Sequence, residues 1–173
     1  FSSIEDFDIE CHSASSGKEW KRLCDIETKA PFSPYNRRVM HQTYYGIRDL
    51  LQPLVSLGKI SVPPIHQAAP NLPCLLEVCP AGALKALGLY KPPYKGRTRD
   101  HYDARSHILK TLENSRSITV PSLTLRDTIL SNTLGDALDS VLAAVITAKA
   151  MTNPAYMVAK SGNPYCVEGC IYV

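Results

Sequence analysis

A chain of 173 residues with 45% hydrophobic and 20% charged side chains has the makeup of an ordinary globular domain, which excludes a disordered segment. Its net charge of +3 is too small to announce a nucleic-acid binder, so that case rests on where the basic residues cluster. No run approaches the roughly 18 apolar residues of a membrane span, and no stretch has the character of a signal peptide.

One domain over residues 1–173 is expected. The chain starts at Phe1 rather than methionine, so it reads as a fragment or a processed chain. Cys11, Cys24, Cys74, Cys79, Cys166 and Cys170 lack the two-residue spacing of a zinc knuckle, and several lie in apolar runs. They read as reduced thiols in a cytoplasmic protein, in preference to a zinc site built from Cys166, Cys170 and a histidine.

In chain order, Phe7, Ile9 and Cys11 alternate with acids like an edge strand, Ser13 to Gly17 breaks the pattern, and a turn of helix is expected around Trp20 to Leu23. The sequence PFSP from Pro31 to Pro34 sets a rigid turn, with Ser33 or Asn36 able to cap the helix expected over Arg37 to Leu51. Val39, Thr43, Ile47, Leu50 and Leu51 can face a core there. Arg37, Arg38, His41, Tyr44, Tyr45 and Arg48 interleave basic and aromatic groups, which can hold phosphate and stack on bases. A solvated helix face with two tyrosines tucked against it is the simpler reading of this stretch taken alone. Pro53 ends or bends the helix, and Ser61 to Pro73 is a proline-rich connector.

Leu72 to Val78 reads as a buried strand carrying one acid, Glu77, near its carboxyl end. Pro80 then starts a short helix that Gly88 stops. A lone carboxylate on a buried strand is costly unless a cation meets it, which makes Glu77 a candidate for function or for an arginine pair. Residues 90–107 hold Lys91, Lys95, Arg97, Arg99, His101, Arg105 and His107 among Tyr90, Tyr94 and Tyr102, the strongest basic and aromatic patch in the chain. Asp100 can cap a helix running to about Glu113, with Ile108, Leu109 and Leu112 as its apolar contacts.

Leu123 to Leu130 reads as another short helix. Leu134 to Met151 then reads as a longer one, with Leu138, Val141, Leu142, Val145 and Ala148 as its core stripe. Asp136 and Asp139 fall three apart on one side, roughly 5 Å apart at the backbone. Ala143 and Ala150 keep that side slim, so the acids are expected to be half-buried at a seam, or else to be first-turn acids favoured by the helix dipole. The strand-like YCVEGCIYV closes the chain. Mixed strands and helices imply an α/β or α+β domain.

Taken in order, CDIETKAPFSPYNRRVMHQTYYGIRDLL, LLEVCPAGALKALGL with YKG, DALDSVLAAVITA and the terminal VEGCIYV resemble the domain-of-unknown-function 429 family. Its members are prokaryotic predicted nucleases of the ribonuclease H-like fold. The resemblance implies an α/β ribonuclease H-like mixed sheet of about five strands flanked by helices. This chain would lack its amino-terminal strands and the acid carried on the first of them. Asp8 and Asp25 are poor substitutes, since neither ends a buried apolar run.

Carried over, Glu77 matches the acid of a later strand, and Asp136 and Asp139 match the paired acids of the last core helix. The three would act as catalytic groups and as ligands to Mg²⁺ or Mn²⁺, in a two-metal-ion hydrolysis of phosphodiester bonds. Lys95, Arg97, Arg99 and Arg105, with Arg37, Arg38 and Tyr44, would hold the nucleic acid. A missing segment would also expose sheet edges, which implies a homo-oligomer or a retained partner segment. Two rivals share the residues: a non-catalytic nucleic-acid or protein-binding module on the same fold, its acids paired with arginines, and an enzyme acting on small phosphorylated substrates.

Overall fold

Ile4, Phe7 and Cys11 are spaced three and four apart, and this spacing, not the alternation through Ile9, governs the amino terminus. In the computed structural model, which describes residues 1–14, 19–153 and 163–173, a helix α1 runs from Ile4 to Ala14. Phe7 and Cys11 are buried on it while Ile9 is exposed, so the expected edge strand is corrected to a helix. The Ser3 hydroxyl accepts from the Asp6 amide at its start. The break expected at Ser13 to Gly17 lies partly outside the described residues.

The larger correction concerns the class of the fold. The chain is mostly helical, and its only described sheet has two strands, Glu77–Val78 (β1) and Ile171–Tyr172 (β2), paired in parallel. Among the described residues there is no ribonuclease H-like mixed sheet. The expected strand over Leu72 to Val78 shrinks to two residues, and Leu75 stands 46% exposed, because the earlier part of the run meets only a single parallel bridge, Cys74 with Ser61, and the ladder with a second strand begins at Glu77. The carboxyl-terminal strand is likewise cut short: Tyr165–Glu168 is a helical turn (α9), and Gly169 at φ 85° redirects the chain into β2. Among the described residues no single helix is long and apolar enough to cross a membrane.

The chain divides into two compact units, passing between them within β1, after Thr152 and within β2. The first comprises Phe1–Glu77 and Asn153–Ile171. Here α1 meets α3 (Met40–Gly46), and Phe7, Cys11, Met40 and Tyr44 form a buried cluster edged by Ile4 and Tyr35. Helix α3 continues through a π-helical turn, Ile47–Leu51, into α4, Gln52–Ser56. Pro53 has no N–H to donate, and the Gln52 amide reaches back to the Ile47 carbonyl, which widens the turn before the proline. The short helix α2, Leu23–Glu27, carries Asp25, which accepts from the Arg22 amide at 2.9 Å.

The second unit comprises Val78–Thr152 and Tyr172–Val173 and is built from α5 (Pro80–Ala86), α6 (Arg99–Asn114), α7 (Leu123–Ser131) and α8 (Asp136–Met151). Gly88 at φ 71° closes α5, with the Gly88 and Leu89 amides bonding back to the Lys85 and Leu84 carbonyls. Ser122 caps α7 by accepting from the Leu125 amide. The axes of α7 and α8 turn by 113° at the break between them. The core joins Leu84, Ile108, Leu109, Leu112, Ile129, Leu138 and Leu142. On α8 the buried positions are Leu138, Leu142, Ile146 and Ala150, a stripe rotated slightly from the expected one, with Ala148 exposed.

All six cysteines are free. Burial pushes the Cys24 thiol up to about 11 and also raises Cys11. A thiol whose folded pKa lies above its ordinary value contributes stability that is complete below pH 9. For Cys24 that contribution is lost as pH climbs through about 11. Treatment with a thiol reagent at pH 8 should therefore leave Cys11 and Cys24 unmodified until denaturant unfolds the chain, as read by mass spectrometry of the labelled peptides. Rapid labelling of Cys24 in the native protein would contradict its burial.

Candidate nucleic-acid interface

The basic stretch of the second unit is organised by a side chain that does not itself reach solvent. Arg105 is 1% exposed. Its Nε donates to the Leu130 carbonyl at 2.8 Å, and its Nη1 donates to the carbonyls of Tyr94 at 2.6 Å and Gly96 at 3.1 Å. Arg105 is thus corrected from a surface phosphate ligand to an internal clamp. Burial pulls its pKa below the ordinary arginine value, and three carbonyl dipoles take the place of water around the guanidinium.

Further bonds fix the same loop. The Gly96 amide donates to the Thr133 carbonyl at 2.8 Å. The Tyr94 hydroxyl donates to one Asp139 oxygen and the Lys95 ammonium to the other, each at 2.6 Å. Burial first, and then the bond to Asp139, hold the Tyr94 phenol well above its usual range. Gly96 at φ 144° packs so near His101 that an added Cβ would lie 2.6 Å from its ring. Gly135, at φ 81° just before α8, would set a Cβ 2.9 Å from the Tyr94 ring. Gly135 lets the loop lie against the start of α8, and Gly96 lets it lie against His101 of α6.

What the pinned loop presents outward is cationic: Lys91, Lys95, Arg97 and Arg99 are all exposed. Arg99 also pairs with Asp103 at 3.1 Å, and Lys95 with Asp139. The tyrosines act as supports for these cations more than as free platforms. Lys85 lies over Tyr90, Lys95 over Tyr94 and Arg99 over Tyr102, at 5.0, 5.6 and 5.2 Å from the ring centres.

The other expected contact residues belong to the first unit. Arg37 is exposed and pairs with Asp8 at 3.0 Å, while Arg38 lies over the Phe32 ring. Tyr44 is buried in the aromatic cluster beside Phe7, so it is corrected from a stacking surface to a core residue.

The three candidate acids are divided between the two units. Glu77 belongs to the first unit, where Arg22 donates to both its oxygens at 2.7 and 2.8 Å. The same guanidinium donates to both oxygens of Asp25, which is 1% exposed, and to the Glu168 carbonyl. Burial works against the charge of Arg22, and the bonds to Glu77 and Asp25 outweigh it, so its pKa stands above the ordinary value. Sequence reasoning missed Arg22 and weighed Asp25 only as a metal ligand; an arginine three residues before an acid at a helix start is the signal that could have found the pair.

Asp136 and Asp139 belong to the second unit. Asp139 is half-buried and engaged at both oxygens, and Asp136 is exposed one turn earlier. Among the described residues no three His, Cys, Asp or Glu side chains come together in a metal-holding group. Glu77 and Asp139 are each taken up at both oxygens by these partners. No family model, curated protein or solved structure matches this chain.

Proposed function

We propose that this chain binds nucleic acid through the sugar–phosphate backbone, using the cationic loop of its second unit, and does so without catalysis. The observation that supports this most is the clamp itself. A buried arginine, a tyrosine and two close-packed glycines hold one loop rigid, and that loop exposes Lys91, Lys95, Arg97 and Arg99. A preorganised row of cations loses less conformational entropy on meeting phosphates than four flexible side chains on a mobile loop. The acids then have structural parts, Glu77 against Arg22 and Asp139 under the loop. Six free thiols suit a reducing, cytoplasmic setting.

Titrating a fluorescent single-stranded oligonucleotide at 50 to 250 mM salt tests this reading. Four phosphate contacts imply a slope of log K against log salt near −3, each contact adding roughly 0.7 to 0.9. Arg97→Ala should lower the slope by about one contact with no loss of stability, since Arg97 is exposed. Affinity that ignores salt, or a slope unchanged in a variant lacking Lys91, Arg97 and Arg99, would remove the proposal.

A metal-dependent nuclease is the second reading. The resemblance suggests it, and one observation favours it: the exposed Asp136 stands one helical turn before Asp139 on the unit that carries the cations. Its mark is a melting point raised by Mn²⁺, together with strand cleavage abolished in Asp136→Asn. No shift and no cleavage would leave binding alone.

A further inference from the structure

Beside the cationic loop the second unit has a cleft of about 390 Å³, within the size range of small-ligand sites. Leu89, Pro92, Ala104 and Ile108 give it an apolar lining, and Lys91, Asp100 and His107 bring a cation, a carboxylate and an imidazole to it. Asp103 also lines it but is held by Arg99. Asp100 has no hydrogen bond or ion pair among the described residues, so its two oxygens are available as a side-by-side pair of acceptors.

We propose that this cleft takes a single guanine base of a bound strand. This rests on the nucleic-acid reading above and names the base the site would select. A flat ring with apolar faces fits between aliphatic walls. A carboxylate with two free acceptors needs a ligand edge with two adjacent donors. Among the common bases only guanine offers that on its Watson–Crick edge, from its ring N–H and its exocyclic amino group. Adenine and cytosine set a ring acceptor beside their amino group, and uracil flanks its one donor with carbonyls, so each would place a lone pair against the carboxylate. Lys91, at the same cleft and at the start of the cationic row, is placed for the phosphate of that nucleotide. An arginine side chain of a protein partner has a similar two-donor edge, but it would bring positive charge up to Lys91, Lys95 and Arg97. Charge therefore favours the nucleotide.

Calorimetric titration with five-residue single strands tests the assignment, using oligo(A) carrying one central G against oligo(A) alone, with GMP and AMP as free nucleotides. The G-containing strand should bind about tenfold tighter than oligo(A). That preference should disappear in Asp100→Asn, while the salt dependence remains. Asp100 is exposed, so the variant should fold, and Lys91→Gln provides a second variant that should weaken both strands alike. GMP binding as tightly as the strand would make the site one for free nucleotide and overturn the assignment to a strand. Equal affinity for the two strands, or a preference that survives Asp100→Asn, would overturn the base assignment and leave backbone binding standing. Tighter capture of an arginine-containing peptide than of the G strand would assign the cleft to a protein. Failure of both strands to bind at low salt would overturn this inference and the nucleic-acid reading together.

Discussion

Arg105→Met should destabilise the protein by about 3–5 kcal/mol in urea unfolding, a large part of the roughly 5–15 kcal/mol that holds a typical domain together. The substitution keeps an aliphatic stem of similar reach, so little packing is lost. What disappears are charge-assisted bonds to the carbonyls of Leu130, Tyr94 and Gly96, which remain inside with nothing to replace them. Each buried carbonyl left unsatisfied costs about 1–3 kcal/mol. Arg105→Lys should recover only part of this, because an ammonium cannot reproduce the planar fork that reaches three acceptors on two stretches of chain. The loop it clamps should loosen as well, so oligonucleotide affinity should fall in Arg105→Lys even under conditions where that variant is fully folded. A variant at position 105 with wild-type stability would refute the clamp. If Arg105 were a surface phosphate ligand, its loss would lower affinity and leave stability untouched.

Arg22→Met in the first unit should cost a comparable 3–5 kcal/mol, for a different reason. Arg22 neutralises two carboxylates at once, and removing it strands Asp25, which is 1% exposed, as a buried charge without a counter-ion. Glu77 keeps 47% of its side chain in solvent and contributes less: Glu77→Gln should cost about 1 kcal/mol or less, since water screens its half of the network. Adding Asp25→Asn to Arg22→Met should restore part of the loss, because the stranded charge is gone. A double-mutant cycle on Arg22 and Asp25 reads the coupling directly. The cycle also bears on function, because a Glu77 that matters only through Arg22 should alter stability and leave oligonucleotide binding unchanged. If Glu77→Gln abolished strand cleavage while stability held, the nuclease reading would replace the binding one.

The two units differ in how much of them the sequence determined by itself. Helices α6 and α8 lie within a residue or two of their expected spans, because an amphipathic helix is written in neighbours three and four apart and closes its own hydrogen bonds. The stop at Gly88 and the start after Gly135 are local in the same sense, since a left-handed backbone needs only the residue that tolerates it. At α1 the local signal is the helical spacing of Ile4, Phe7 and Cys11, which the strand-like alternation of Phe7, Ile9 and Cys11 masks.

Strands are another matter. An apolar run such as Leu72 to Val78 becomes a strand only where a partner supplies backbone groups; Ser61 bridges it at Cys74 alone, and Ile171–Tyr172, far along the chain, pairs with its last two residues. The mixed sheet expected from the resemblance failed at this step.

The functional residues divide along the same line. Lys91, Lys95, Arg97 and Arg99 read as exposed cations because a proline- and glycine-containing loop belongs at a surface. Whether a charged residue is a ligand or a brace depends on what the fold brings to it. Tertiary structure alone set Arg105 against three carbonyls, Glu77 against an arginine 55 residues away, and Asp139 beneath a tyrosine and a lysine more than forty residues earlier. Burying a charge is tolerable only where partners surround it, and those partners are gathered by folding rather than by sequence neighbourhood.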